Sequence, residues 1–306
     1  MMVNDDIIFK GENDNENYRR VLVQEQYPLL TKEDVASIKS LDELSLLGMT
    51  RAMDQVRRFR RERNDHALLE WVEQYENVFE ERFIYTFWHK EFYVYKGIAF
   101  AQYRQKYREA QECIDIAKRL MIGGTPDVLT QATIIKEIGS YHSDLCEFPE
   151  AKEYYVQVLE LVSPDDEACK MVYMEALSNL GHVYFVTGRY SEADALFDKV
   201  MQYNEDRQMN GYLLDHVHLG KAHLASLQKD VDTCVFHEQK AWQAVVAYGL
   251  KGIEPYLKAL DLKIRLHKIG VFEHDGKPLV LHDIEDIDKI YYQYYMVHPE
   301  YSGKLA

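Results

Sequence analysis

Three histidines lie close together in the sequence and are the first residues to consider for chemistry. His216, His218 and His223 fall within one apolar-periodic segment. On a helix His216 and His223 share a face, whereas His218 points elsewhere. A metal site on a helix needs ligands at i and i+4 together with a further carboxylate or thiolate. The spacing therefore predicts no metal site.

The rest of the chain contains no sequence motif that indicates catalysis. It has no HExxH, no glycine loop that could cradle phosphate and no nucleophile elbow. The four cysteines form no CxxC pair, and Cys113, Cys146 and Cys234 occupy positions typical of a buried helix face. We predict a protein without catalytic activity, cofactor or metal.

One stretch, from Glu175 to Asn204, has the strongest helical pattern. Apolar and small residues recur at i, i+3, i+4 and i+7 in two segments separated by Gly188: Leu177, Leu180, Gly181 and Tyr184, then Ala193, Leu196, Phe197, Val200 and Met201. Gly181 and Ala193 allow two helix backbones to approach closely, and Tyr184 and Phe197 fill the space around them. The stretch is therefore predicted to be a helix pair.

The same unit recurs along the chain. The small residue of its second helix is found at five positions, spaced 43, 41, 42 and 41 residues apart: Ala67, Ala110, Ala151, Ala193 and Cys234. So regular a period is typical of a solenoid, in which each helix pair buries its apolar face against its neighbours. We predict an all-α, right-handed superhelical solenoid.

The predicted organisation has three parts. Residues 1–40 form an acidic N-terminal arm with short helices, and 41–269 form the solenoid of five to six helix pairs. Residues 270–306 form a hairpin or loop, with an Asp-Gly turn, and a tyrosine-rich capping helix. Capping boxes are predicted at Thr31–Asp34 and Ser40–Glu43, and Thr125 is predicted to cap a helix that begins at Pro126.

The central stretch resembles the tetratricopeptide repeat (TPR). It carries the Leu-Gly-x-x-Tyr of the first helix, the Gly-x-Tyr turn and the Ala-x-x-x-Phe of the second helix. The period here exceeds the usual repeat of about 34 residues by roughly two helical turns.

The resemblance implies that a peptide or protein segment binds to the concave face lined by the first helices. It places these residues there: Tyr95, Lys96, Gln102, Lys136, Glu137, Ser140, Asn179, His182, His216 and His223. Asn179 is the most informative, because an amide can both donate to and accept from a peptide backbone. The alternative is that these are ordinary solvated helix positions.

Two groups of TPR proteins compete as relatives. Co-chaperone domains grip a C-terminal carboxylate with lysines, arginines and asparagines. The bacterial peptide-pheromone sensors (the Rap, NprR, PlcR and PrgX group) share the long repeat and the atypical capping helix, and residues from about 45 to 296 resemble them more. The members that regulate transcription begin with a helix-turn-helix, and residues 1–60 here contain no recognisable one.

Three functions follow from these resemblances. The first is a non-catalytic regulator that binds a short linear peptide or protein segment; its most specific form is a pheromone-responsive sensor. The second is a scaffold or adaptor that binds a folded partner or forms a homodimer through the N-terminal helices or convex face. The third is a response-regulator phosphatase of the Rap kind, with Gln55 as its glutamine.

An arginine cluster ends the helix predicted at 41–62. Arg57, Arg58 and Arg61 belong to it. They are interpreted either as a docking patch for an acidic partner or as cations that favour the negative end of the helix dipole.

Charge and hydropathy exclude several other classes. The net charge of −15 argues against nucleic-acid binding, which requires a positive face. No stretch approaches the roughly 20 apolar residues of a membrane span, and the acidic N-terminus does not resemble a signal peptide. We expect a cytoplasmic protein that binds no membrane.

Overall fold

The computed structural model describes residues 24, 26–38, 40–61, 64–81, 87–102, 106–122, 127–209, 211–248, 253–279, 287 and 290. The predicted N-terminal arm before residue 24 and most of the capping helix predicted after the hairpin lie outside these residues. The chain divides into two compact units, Met1–Arg61 and Glu62–Ala306. Each unit is described by itself.

The first unit contains helices α1 (Lys32–Ser37) and α2 (Leu41–Arg61). The predicted capping box is confirmed: the Thr31 hydroxyl accepts from the Asp34 N–H, and the Asp34 carboxylate accepts from the Thr31 N–H. Arg51 of α2 forms a two-point ion pair with the same carboxylate, which holds the pKa of Asp34 well below its usual range. One acid therefore both caps α1 and joins it to α2.

The described part of the second unit is built of helices, with a two-stranded hairpin after Lys268. The helices are α3 (Asp65–Glu81), α4 (Phe87–Gln102), α5 (Tyr107–Ile122), α6 (Val128–Asp144), α7 (Phe148–Leu161), α8 (Lys170–Val186), α9 (Tyr190–Asp206), α10 (Leu214–Leu227), α11 (Val231–Tyr248) and α12 (Glu254–Lys268). The strands are β1 (Glu273–His274) and β2 (Lys277–Pro278), which pair antiparallel.

The helices of this unit pack as consecutive pairs. α4 packs on α5, α6 on α7, α8 on α9 and α10 on α11, and each pair contacts the next. The first helices of successive pairs, α4, α6, α8, α10 and α12, also contact one another directly. The predicted all-α solenoid of helix pairs, with a short hairpin near the C-terminus, is confirmed.

Close packing at Gly181 explains the small residues of the pattern. A Cβ at Gly181 would lie 2.7 Å from the Phe197 ring, and one at Gly220 of the next pair would lie 2.5 Å from the same ring. Phe197 is fully buried between these two glycines. One aromatic ring therefore joins α9 to both α8 and α10, and only glycine leaves room for it.

The repeated small residues of the second helices are mostly core residues. Ala110, Ala151, Ala193 and Cys234 are fully buried, whereas Ala67 is half-buried. The prediction for Cys146 was wrong: it is exposed in the turn after α6, with a φ of 60°, because the helix has already ended.

One predicted helix start also differs from the structure. Asp127, not Thr125, caps α6, and its carboxylate accepts from the Thr130 N–H at 2.9 Å. Asp127 caps the helix because it directly precedes the first helical residue, Val128, and its carboxylate can reach an N–H group of the first turn.

The predicted Asp-Gly turn forms the hairpin between β1 and β2. Asp275 and Gly276 both have positive φ, 49° and 73°, as a tight two-residue hairpin turn requires. Leu279 after β2 is buried with Leu266 of α12 and with Ile287 and Ile290, which are both helical. Leu279, Ile287 and Ile290 therefore cover apolar surface of α12.

Candidate functional site

A row of half-buried polar side chains runs along α8. Glu175, Asn179 and His182 lie at i, i+4 and i+7, so the helix places them on one face. The flanking residues Leu177, Leu180 and Val183 are buried in the solenoid. Because α8 is covered by α6 and α10 on either side, this row is bordered by polar residues of those two helices.

Lys136 of α6 connects its own helix to α8. Its ammonium group donates to Glu137 at 2.5 Å and to Glu175 at 2.8 Å. Burial by itself would lower the pKa of Lys136, but the two carboxylates outweigh it and raise the pKa above its ordinary value. Lys136 is therefore a charged, fully engaged lysine.

Residues on and just before α10 continue the polar surface on the other side of α8. The Tyr212 hydroxyl donates to the second oxygen of Glu175. The His182 and His216 rings are 6.4 Å apart between centroids, and Nδ1 of His216 lies 2.9 Å from the Asp215 carboxylate. We call the resulting surface the central polar face; it comprises Lys136, Ser140, Glu175, Asn179, His182, Tyr212 and His216.

Asn179 and Ser140 differ in how their hydrogen-bonding capacity is used. Ser140 donates to the Lys136 carbonyl at 3.2 Å and accepts from the Tyr155 hydroxyl at 3.4 Å. The Asn179 amide makes no side-chain hydrogen bond within the described part of the chain. Asn179 therefore keeps a donor and an acceptor for a molecule on this face.

The remaining residues predicted from the resemblance lie elsewhere or are engaged. Tyr95 is fully buried, and its hydroxyl donates to Glu91 at 2.6 Å. Lys96 pairs with Glu76 of α3 and lies 5.6 Å from the Tyr93 ring centroid. Glu137 is buried, and its carboxylate accepts from the Lys136 ammonium. The Gln102 side chain lies outside the described residues.

His223 belongs to a buried basic cluster between α10 and α12 rather than to the central polar face. Its Nδ1 lies 3.2 Å from the Lys263 ammonium nitrogen, and its ring stacks on Phe185 with centroids 5.8 Å apart. Lys263 is only 3% exposed, and burial lowers its pKa to about 7.

A serine–histidine pair in this cluster has the distances of a nucleophile and its base. Ser226 Oγ lies 2.7 Å from Nε2 of His267, and Nδ1 of His267 lies 2.9 Å from the Val271 carbonyl. Because a carbonyl only accepts, Nδ1 carries the proton and Nε2 accepts from the serine. Both side chains are less than 5% exposed. A substrate therefore has no access, and the pair serves to join α10 to α12.

The three histidines of α10 point to three different neighbours. His216 faces Asp215 and His223 faces Lys263, whereas Nδ1 of His218 lies 2.9 Å from Nδ1 of His237 on α11. Burial, followed by the charge of His237 and nearby lysines, lowers the pKa of His218 to about 4. The described residues contain no group of three His, Cys, Asp or Glu side chains able to hold a metal.

The arginine cluster lies at the end of α2 in the first unit. Arg57 is paired with Asp54 one turn earlier at 3.4 Å, and the exposed Arg58 lies 5.9 Å from the Phe59 ring centroid. The Arg61 side chain lies outside the described residues. Gln55, on the same helix, is half-buried.

Residues 174–205, within α8 and α9, match the family model for the tetratricopeptide repeat. These residues form a tetratricopeptide repeat. Such repeats are protein-interaction modules, so the chain contains an element suited to binding a protein or peptide. The match does not select the pheromone sensors among the proteins that carry this repeat.

No curated protein and no solved structure matches the chain. In the described part of the chain, no helix is long and apolar enough to cross a membrane. The comparisons thus characterise α8 and α9, which supply three residues of the central polar face.

Sequence reasoning missed Tyr212 as a member of the site, and the repeat pattern carries no signal for it. Lys136 and Glu175 are 39 residues apart, and Glu175 and Tyr212 are 37 apart. Both intervals are shorter than the 41–43-residue period, so the three residues occupy different positions in consecutive units. Tyr212 also precedes the first residue of α10 and so falls outside the helical pattern.

Proposed function

We propose that this protein is a non-catalytic regulator that binds a linear peptide or protein segment across the central polar face. The half-buried Asn179, with its unused amide between two structured helices, is the observation that carries the proposal. An amide in such a position can pair with both groups of a peptide unit without reading the side chain.

The neighbours of Asn179 make a suitable binding surface. Glu175 and His182 lie one turn before and one turn after it, and the His216 ring approaches from α10. Carboxylate, amide and imidazole groups together offer several donors and acceptors on one face. Since their helices are packed on both sides, little ordering is needed on binding.

Asn179→Ala tests this proposal. We expect it to weaken binding of random octapeptides about tenfold, because a ligand loses two hydrogen bonds, while leaving thermal stability nearly unchanged. Binding is measured by affinity selection and mass spectrometry. The matched control is Asn77→Ala on the exposed face of α3. Equal binding by both variants and the original protein would remove Asn179 from the site.

In its most specific form, the regulator responds to a short peptide pheromone. The long repeat and the central asparagine support this form. Native mass spectrometry of the protein purified from its own host tests it. A co-purifying peptide of roughly five to ten residues, matching the reach of an extended chain across the face, is the expected result. Protein that carries only a folded partner would contradict it.

A scaffold or homodimer is the second candidate, and exposed apolar side chains on α11 favour it. On α11, which is the second helix of the pair α10–α11, Phe236 is 52% exposed and Val246 is 80% exposed. Light scattering would give a discrete oligomer if the protein assembles through this surface, and Phe236→Ser would lower that mass. A monomer at all concentrations would exclude self-assembly.

A further inference from the structure

We infer that Glu175 selects a cationic group of the bound segment, and that the central polar face does not recognise a free C-terminal carboxylate. The inference rests on the proposed function, because it assigns the chemistry of the segment that binds there. It follows from which charged groups are already held in ion pairs and which can still accept a hydrogen bond from a ligand.

Neither of the two lysines predicted to bind a ligand, Lys136 and Lys96, is available for a ligand carboxylate. The Lys136 side chain is 11% exposed, and its ammonium lies between Glu137 and Glu175. The Lys96 side chain is 14% exposed and is paired with Glu76. A ligand carboxylate would have to displace an existing partner and leave that partner's charge uncompensated, which is costly in a partly buried site.

Glu175 is the charged group that remains accessible. Lys136 binds one of its oxygens and the Tyr212 hydroxyl binds the other, so the carboxylate is held from both sides. Its side chain is still 23% exposed. A carboxylate can accept about four hydrogen bonds. The described residues supply two, and the orientation of Glu175 is therefore fixed while acceptor capacity remains.

The charge balance of this network favours a cation. Glu175 shares the single positive charge of the Lys136 ammonium with Glu137. The Tyr212 hydroxyl is neutral. The negative charge of Glu175 is therefore incompletely compensated beside Asn179, in a protein whose net charge is −15. A ligand ammonium or guanidinium at Glu175 would compensate it.

The distance between Glu175 and Asn179 defines the expected pattern. Four residues of helix rise about 6 Å. An extended peptide advances about 3.3 Å per residue, so this separation corresponds to roughly two ligand residues. A segment whose peptide unit pairs with Asn179 therefore places its cation about two residues away. That cation is either a Lys or Arg side chain or a free N-terminal ammonium.

Four random octapeptide libraries distinguish these chemistries with the full-length protein. Two libraries have both ends blocked: the first has a fixed lysine, and the second has norleucine in its place. The third library has a free N-terminus, and the fourth has a free C-terminus. Affinity selection followed by mass spectrometry gives the enrichment of each. We expect the lysine or the free-amine library to exceed the norleucine library about tenfold, and no gain from the free carboxylate.

Glu175→Gln tests the residue assignment, and Glu160→Gln on the exposed face of α7 is its matched control. Only Glu175→Gln should remove the preference for cations while keeping binding of the norleucine library. Tyr212→Phe, which leaves the charge in place but frees one oxygen of Glu175, should reduce the preference by about threefold. Thermal melts verify that each variant is folded.

The outcomes separate the inference from the proposed function. Binding of the norleucine library without any preference for a cation, or a preference for the free carboxylate, would overturn the inference and leave peptide binding intact. A cation preference that survives in Glu175→Gln would also overturn it. No enrichment of any library would overturn the proposed function and the inference with it.

Discussion

At the scale of single residues, two buried lysines have opposite electrostatic surroundings. Lys136 lies against two carboxylates, which raise its pKa despite burial. Lys263 lies beside His223, and burial lowers its pKa to about 7. Lys136 is thus held as a stable cation between α6 and α8, whereas Lys263 is close to losing its proton between α10 and α12.

Lys263 should make stability depend on pH. Its pKa is about 7 in the folded protein and 10.5 in the unfolded chain, so between these values the unfolded chain binds more protons. Stability should therefore rise with pH through this window. In Lys263→Met that contribution is absent. We expect Lys263→Met to have the larger free energy of unfolding at pH 7. Its difference from the original protein should shrink by about 1 kcal/mol per pH unit from pH 7 to 9.

Urea unfolding at several pH values measures this advantage. The matched control is Lys258→Met, because Lys258 lies on the same helix with its side chain 58% exposed. Its difference from the original protein should not change with pH over this range. Parallel stability curves for the original protein and Lys263→Met would contradict the prediction.

At the scale of elements, aromatic rings and glycines set how closely consecutive helices approach. Gly139 faces Tyr155 within the pair α6–α7, as Gly181 faces Phe197 within α8–α9. The Phe197 ring also contacts the position of Gly220 in the next pair. A larger side chain at any of these glycines would move two helices apart, so the effect extends beyond one residue.

Gly181→Ala should destabilise the protein by about 1–3 kcal/mol, since the new methyl group would lie 2.7 Å from the Phe197 ring. Without this contact, the same change in a helix would be stabilising by about 1 kcal/mol. Chemical denaturation measures the free energy of unfolding.

A double-mutant cycle with Phe197→Leu serves as the control for Gly181→Ala. The smaller side chain relieves the overlap, so Gly181→Ala should cost less in the Phe197→Leu background. Equal costs in both backgrounds would show that the ring does not restrict Gly181.

At the scale of the whole molecule, excess negative charge is a general source of repulsion. The net charge is −15, and several carboxylates on the second helices are exposed, including Glu153 and Glu160 of α7. Such self-repulsion opposes the compact state and is screened by salt.

We therefore expect Tm to rise by a few degrees between about 20 and 300 mM NaCl, as the Debye length falls below about 10 Å. Differential scanning fluorimetry measures the change. Replacing Glu153 and Glu160 by lysine brings the net charge from −15 to −11 and should reduce the rise. A Tm that falls with salt would show that ion pairs outweigh the repulsion.

Much of the fold is determined by sequence in short stretches or by the repeat. The 41–43-residue spacing of the small residues, the helix pair at 174–205 and the Asp275–Gly276 turn each depend on local pattern. Helix periodicity is a property of neighbouring residues, and stacking follows because each pair has an apolar face to bury. The sequence alone therefore determined an all-α solenoid and the face of α8 that carries Asn179.

Only the tertiary structure decided which polar groups of that face are already occupied. The contacts of Lys136 with Glu175, and of Glu175 with Tyr212, join residues 39 and 37 positions apart. They arise because each second helix returns the chain so that consecutive first helices lie side by side. Periodicity predicts that these helices are neighbours, but side-chain directions and burial decide that Lys136 is paired and Asn179 is not.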